Sequence, residues 1–289
     1  KSVDLKNPQT LNLYAYCTND PINHTDPDGL SFFSFFKRLF TGIGKVFSAV
    51  GNAVARVLNN KWVRMGVFIA SFIIPFVGAA LAKVLSTIVK IYNTIADIGA
   101  QLQLYGQLLQ GKFKELGISV GLGIIGSYIG MIEDAVVAGI QTSLLRGTNV
   151  LRGAIQGFRE GFNRLSASLF GRSLKNMFIP CYGIYGGPGC PPDNAYDPTT
   201  GKFDPDLPGV DDIDDKGFKQ HDLAYRNRQK TPVSLRDADW TLVKTLLVNA
   251  PRVRIIDIAF GSRPASGSVY KFFALNYFTG STVVRSARL

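Results

Sequence analysis

"DKGFKQHDLAYRNRQKTPVSLRDADWTLVKTL", residues 215–246, decides how this chain is read. Phe218, His221, Asp222 and Tyr225 recur at i, i+3, i+4 and i+7, so they share one face of a helix. Asp212, Asp214 or Asp215 can cap its start, and Thr231-Pro232 ends it. In the helix that follows, Ser234 and Asp237 form a capping box. Leu235, Asp239, Leu242 and Leu246 then recur at i, i+4, i+7 and i+11, which puts Asp239 on the apolar face. Two helices joined by so short a loop pack antiparallel, and Asp239 can face His221. A carboxylate bonded to one ring nitrogen sets the tautomer and leaves the other nitrogen as a base. Burying a carboxylate is costly unless something pairs with it. A cation held by Asp222 would remove that cost. Two buried polar residues satisfying each other are the plainer alternative.

Working outward, the composition bounds the class. With 46% hydrophobic and 18% charged residues, the chain of 289 is too apolar for disorder. The net charge of +11 is concentrated in residues 31–175, the most apolar part. That combination favours anionic lipid over nucleic acid, and no nucleic-acid-binding motif accompanies it. Cys17, Cys181 and Cys190 are too few for a disulfide framework, although a Cys181–Cys190 bridge is open. The opening "KSVDLKNPQT" has no apolar core and reads as the continuation of a longer chain, not as a signal peptide.

Three regions follow. In residues 1–30, Leu11 and Leu13 alternate with Tyr14 and Tyr16 before Asn-Asp-Pro and Asp-Pro-Asp-Gly turns, a short strand and a tight turn. Residues 12–30 resemble the C-terminal end of the RHS repeat-associated core, whose signature runs N-L-Y-x-Y-x-x-N-x-P-x-x-x-x-D-P-x-G-L. In that family the core closes a β-shell, and variable effector domains, often toxins, follow the D-P-x-G-L. Residues 31–175 are apolar, basic and helical, with uncharged stretches at 65–82 and 116–132. These suit either a hairpin in a membrane or a buried pair in a soluble bundle, and Pro75 weakens the first as a straight span. The spacings GISVG and GSYIG let helices approach closely. Residues 144–175 repeat apolar positions with Arg opposite, an amphipathic basic helix or linker.

Residues 176–289 contain no glutamate, so their acid chemistry must use aspartate. Upstream of the helix pair stands "CYGIYGGPGC", residues 181–190, whose glycines let the backbone aim its carbonyls inward. Hard Ca²⁺ takes six to eight oxygens, carbonyls and carboxylates among them. Together these features resemble a calcium-dependent phospholipase A2 of the secreted and parvovirus-capsid type. The family's loop Y-G-x-Y-x-G-x-G is matched by Tyr182, Gly183, Tyr185, Gly187 and Gly189. Its helix D-x-x-C-x-x-H-D-x-C-Y is matched by Asp215, His221, Asp222 and Tyr225, with Phe218 and Ala224 where the family has cysteines. Its later A-D-x-x-F is matched by Ala238 and Asp239, with Leu242 last. The match spans about residues 180–247. The disulfide scaffold is absent, and a Pro- and Asp-rich insertion, roughly 191–209, separates loop from helix. The second active-site tyrosine has only Tyr270 and Tyr277 as candidates.

The resemblance implies hydrolysis of the sn-2 ester of a membrane glycerophospholipid. It assigns catalysis to His221, Asp239 and Tyr225, and calcium to Asp222 with the carbonyls of Tyr185, Gly187 and Gly189. The expected fold is mainly α. It has a β remnant at the start, an apolar helical middle and a small phospholipase A2-like domain of two antiparallel helices and a calcium loop. The context implied is a secreted or delivered bacterial toxin effector acting at membranes. Its partners are then phospholipid, the RHS shell of the parent polypeptide and an immunity protein, not nucleic acid. Competing readings make Cys181 a nucleophile with His221 as its base, or make Asp204, Asp206, Gly209 and Asp215 a weak EF-hand-like loop. A third is a membrane-inserting element built from residues 60–140.

Overall fold

A computed structural model describes residues 32–170, 196–197, 202–203, 213–227, 230–259 and 266–289. The expected N-terminal strand and the glycine loop 181–190 lie outside them. The described chain is mainly helical. Its helices are α1 (Phe32–Leu58), α2 (Lys61–Ile73), α3 (Ala79–Leu109), α4 (Phe113–Leu145) and α5 (Val150–Phe170), then α6 (Ile213–Arg226), α7 (Pro232–Val248), the short α8 (Ile255–Ala259) and α9 (Ser266–Ser286). A two-residue antiparallel ladder pairs Tyr196 with Phe203 and Asp197 with Lys202.

The uncharged stretch 65–82 does not form one helix. α2 stops at Ile73, a 3-10 turn runs Ile74–Phe76, and Val77 is extended before α3 begins. Pro75 explains the break, since it has no N–H to donate and its ring crowds the preceding turn. Among the described residues, the single helices long and apolar enough to cross a membrane are α3 and α4, the latter containing 116–132, while residues 37–58 and 61–76 reach that measure only together, as a pair bent by 69°. On α3, Leu81, Val84, Ile88, Ile91, Ile95 and Ile98 form an exposed stripe at alternating three- and four-residue spacing.

Glycines set two of the helix contacts. α5 carries Gly153, Gly157 and Gly161 four residues apart, and a Cβ on any of them would strike the backbone of α4. This small-residue ridge is what residues 144–175 contribute, beyond an amphipathic basic face. The GISVG pair does not act as expected, because Gly117 and Gly121 face open space. Gly123 receives Val269 of α9 instead, and Gly130 receives the Arg254 side chain.

α9 joins the two halves of the described chain. Ala274 and Leu275 pack with Phe218, Leu242, Val243 and Leu246 of α6 and α7. Val269 and Phe272 pack with Leu104 of α3. Buried charges hold the same junction. Lys271 pairs with Asp97 of α3 and donates to the Asn249 carbonyl. Arg254 pairs with Asp134 of α4 at 2.7 Å, and Glu133 accepts the N–H groups of Ile255 and Ile256 that open α8.

Candidate functional site

α6 and α7 run antiparallel, with His221 and Tyr225 against Asp239 and Gly217 against Leu242 and Thr245. α7 begins earlier than the Ser234-Asp237 box predicted. Thr231 is its N-cap, and Thr231 and Ser234 bond each other's backbone N–H groups, with Pro232 opening the helix. Pro needs no N–H partner in a first turn, so the boundary moves upstream.

The pairing expected from the helical periodicities is present. His221 Nε2 lies 2.9 Å from Asp239 Oδ1, although eighteen residues separate them. Tyr225, one turn after His221, donates its hydroxyl to the same oxygen at 2.5 Å. The other oxygen, Oδ2, accepts the Ser281 hydroxyl at 2.7 Å and Arg285 Nε–H at 3.1 Å, both from α9. Asp239 is wholly buried, yet its two oxygens carry four donors, which is the full capacity of an ionised carboxylate. Such a carboxylate can only accept, so Nε2 of neutral His221 carries the proton and Nδ1 keeps a lone pair.

The imidazole is locked on its faces as well. The Tyr225 ring lies 4.3 Å away at 30°, and Phe278 meets it edge-on at 4.6 Å. The electrostatics follow from the contacts. Burial works to raise the Asp239 carboxyl, but bonds from Tyr225, Ser281 and His221 outweigh it and hold the group below its ordinary value. Burial, then the bond to Asp239 and its charge, push the Tyr225 hydroxyl up to about 12, so it stays a donor.

Asp222 is partly exposed, and its carboxylate lies 3.6 Å from His221 Nδ1, too far for a direct hydrogen bond. Burial raises its carboxyl, with His221 and Arg226 opposing. A half-desolvated oxygen donor of this kind fits a hard divalent cation, which would supply the charge that water no longer screens. Among the described residues no group of three or more His, Cys, Asp or Glu is arranged to hold a metal ion. The other expected ligands, the Tyr185, Gly187 and Gly189 carbonyls, lie outside the described residues. So do Cys181 and the side chains of Asp204, Asp206 and Asp215.

Two residues at Asp239 escaped the sequence reading. Neither Tyr270 nor Tyr277 reaches it: Tyr270 packs edge-on against Phe218, and Tyr277 is 71% exposed. Ser281 and Arg285 occupy that side instead. The available signal was their i, i+4 spacing, continuing the inward stripe of Ala274, Leu275 and Phe278 on α9. Compared with family models, curated proteins and solved structures, the chain matches none.

Proposed function

We propose that the chain is a calcium-dependent phospholipase A2, acting as the toxin portion of an RHS effector. The observation that carries the reading is the buried Asp239 bonded to His221 Nε2, with Nδ1 left beside Asp222. In this reading Nδ1 takes a proton from water as the water oxygen attacks the sn-2 carbonyl carbon. Asp239 stabilises the imidazolium that forms, and Tyr225 keeps the carboxylate aimed. His221 then returns the proton to the glycerol oxygen as the ester C–O bond breaks, releasing fatty acid and lysophospholipid. Asp222, with the Tyr185, Gly187 and Gly189 carbonyls, would hold calcium, which would supply positive charge for the phosphate and the developing oxyanion. Phospholipid is the partner, and the RHS shell and an immunity protein complete the implied context of a delivered bacterial effector.

The test is fatty-acid release from phosphatidylcholine vesicles carrying label at sn-2, with calcium and then with a chelator, for the native chain and His221→Gln. Labelled acid released only with calcium and only by the native chain is the expected result. Release that survives the chelator or the His221 change overturns the proposal.

A second reading, membrane insertion, is favoured by the exposed stripe on α3, whose apolar window is only 11% buried. Lys83 and Lys90 are exposed on the same helix and suit anionic headgroups. It is compatible with the first. Ile88→Asp with Ile91→Asp should abolish binding to vesicles containing phosphatidylserine, and unchanged binding sinks this reading.

A further inference from the structure

We infer that Arg285 and Ser281 are positioning residues of the candidate site, so that α9 is part of the machinery as well as of the core. The inference rests on the hydrolase reading for its catalytic meaning. Its structural content is independent of that reading.

The argument begins with the carboxylate. A wholly buried Asp239 needs a compensating charge, which neither the Tyr225 hydroxyl nor an imidazole in its base form supplies. Arg285 supplies it, with Nε at 3.1 Å from Oδ2. The same guanidinium donates from an Nη to the Tyr225 hydroxyl at 3.0 Å and lies over the Tyr225 ring at 5.5 Å. Arg285 therefore touches both Asp239 and Tyr225, two of the groups that contact His221. Ser281, one turn earlier, donates to Oδ2 and accepts from Arg285 Nε at 3.3 Å. With Oδ2 held from α9, Oδ1 faces α6 and accepts from His221 and Tyr225.

Geometry also explains why these residues sit on this helix. Phe278, Ser281 and Arg285 fall at i, i+3 and i+7, on one face. Phe278 packs on His221, so the same face covers the imidazole and anchors its partner. Arg285 lies in the last turn of α9, where a cation also favours the helix dipole. A lysine there could supply charge but not the planar set of donors that spans Asp239 and Tyr225 at once.

The experiment uses the full chain and two readouts. The first is the imidazole Nε2–H signal of His221 in a ¹H–¹⁵N spectrum, readily assigned because the chain has two histidines. The second is kcat and KM on monomeric short-chain phosphatidylcholine with calcium. Arg285→Met is expected to lose the protected Nε2–H signal and to lower kcat about 10- to 100-fold, the range for groups that orient a functional side chain, with KM little changed. Arg285→Lys should recover part of both, and Arg288→Gln should change neither. If Arg285→Met does not fold, Ser281→Ala removes one donor to the same oxygen and should lower kcat about tenfold. A protected signal and native kcat in a folded Arg285→Met or Ser281→Ala chain overturn the inference. A native chain that shows the signal, loses it on Arg285→Met and releases no fatty acid overturns the hydrolase reading and leaves the positioning role standing.

Discussion

His221 Nε2 and Asp239 Oδ1 stand 2.9 Å apart across an antiparallel helix pair, with the carboxylate wholly buried and the imidazole nearly so. The geometry fixes which nitrogen is engaged and makes consequences for activity and stability calculable.

Asp239→Asn keeps the shape but offers His221 an amide in place of an anion. The imidazolium loses its counter-charge, and the tautomer is no longer enforced. Hydrolysis should fall by about 10³–10⁴-fold, the scale seen when a histidine base loses its carboxylate partner. Initial rates of fatty-acid release, with a circular dichroism spectrum to verify the fold, check this.

The same carboxylate makes stability depend on acid. Asp239 titrates in the folded chain below its ordinary value, so its contribution is fully present above the unfolded carboxylate's pKa. That contribution is lost as pH falls through the lower folded value. Urea midpoints measured from pH 6 to pH 2 should drop more steeply for the native chain than for Asp239→Asn. Parallel curves would refute it.

Asp222 behaves in the opposite sense. Burial raises its carboxyl, so the ionised form at neutral pH weighs against the fold when no cation is present. Asp222→Asn should raise the melting temperature in chelator and remove the increase that calcium brings to the native chain. A native chain whose melting temperature ignores calcium would count against Asp222 as a ligand.

Lys271 and Asp97 join α9 to α3 with both side chains about 95% buried. Lys271→Met leaves an uncompensated buried charge and should cost about 3–5 kcal/mol in urea unfolding. Adding Asp97→Leu should restore most of that loss, since an apolar pair has no charge to desolvate. A double variant as unstable as the single one would contradict the pairing.

Close approach at the α4–α5 contact is equally testable. A Cβ at Gly157 meets the backbone of Ala135 and Val136, which cannot swing aside as a side chain could. Gly157→Val should destabilise by about 1–3 kcal/mol, the cost of overpacking, with an intermediate loss for Gly157→Ala. Denaturant midpoints of the two variants check the order.

The sequence by itself determined the helix pair α6 and α7 and the pairing at its centre. Helical periodicity put His221 and Tyr225 on one face and Asp239 on the apolar face of the next helix, and a loop of few residues forced those faces together. Pro75 likewise weakened 65–82 as a straight span, and the chain breaks there between α2 and α3. What only the tertiary structure decided was the company Asp239 keeps. Ser281 and Arg285 lie more than forty residues downstream on another helix, α9. Their inward direction depends on how α9 seats between α3, α4 and α7, which is set by Lys271–Asp97 and by Val269 against Gly123. Periodicity reports which residues of one helix share a face. Which face of a distant helix meets them is fixed by the packing of the whole core, because a buried charge can settle only where a partner is already held.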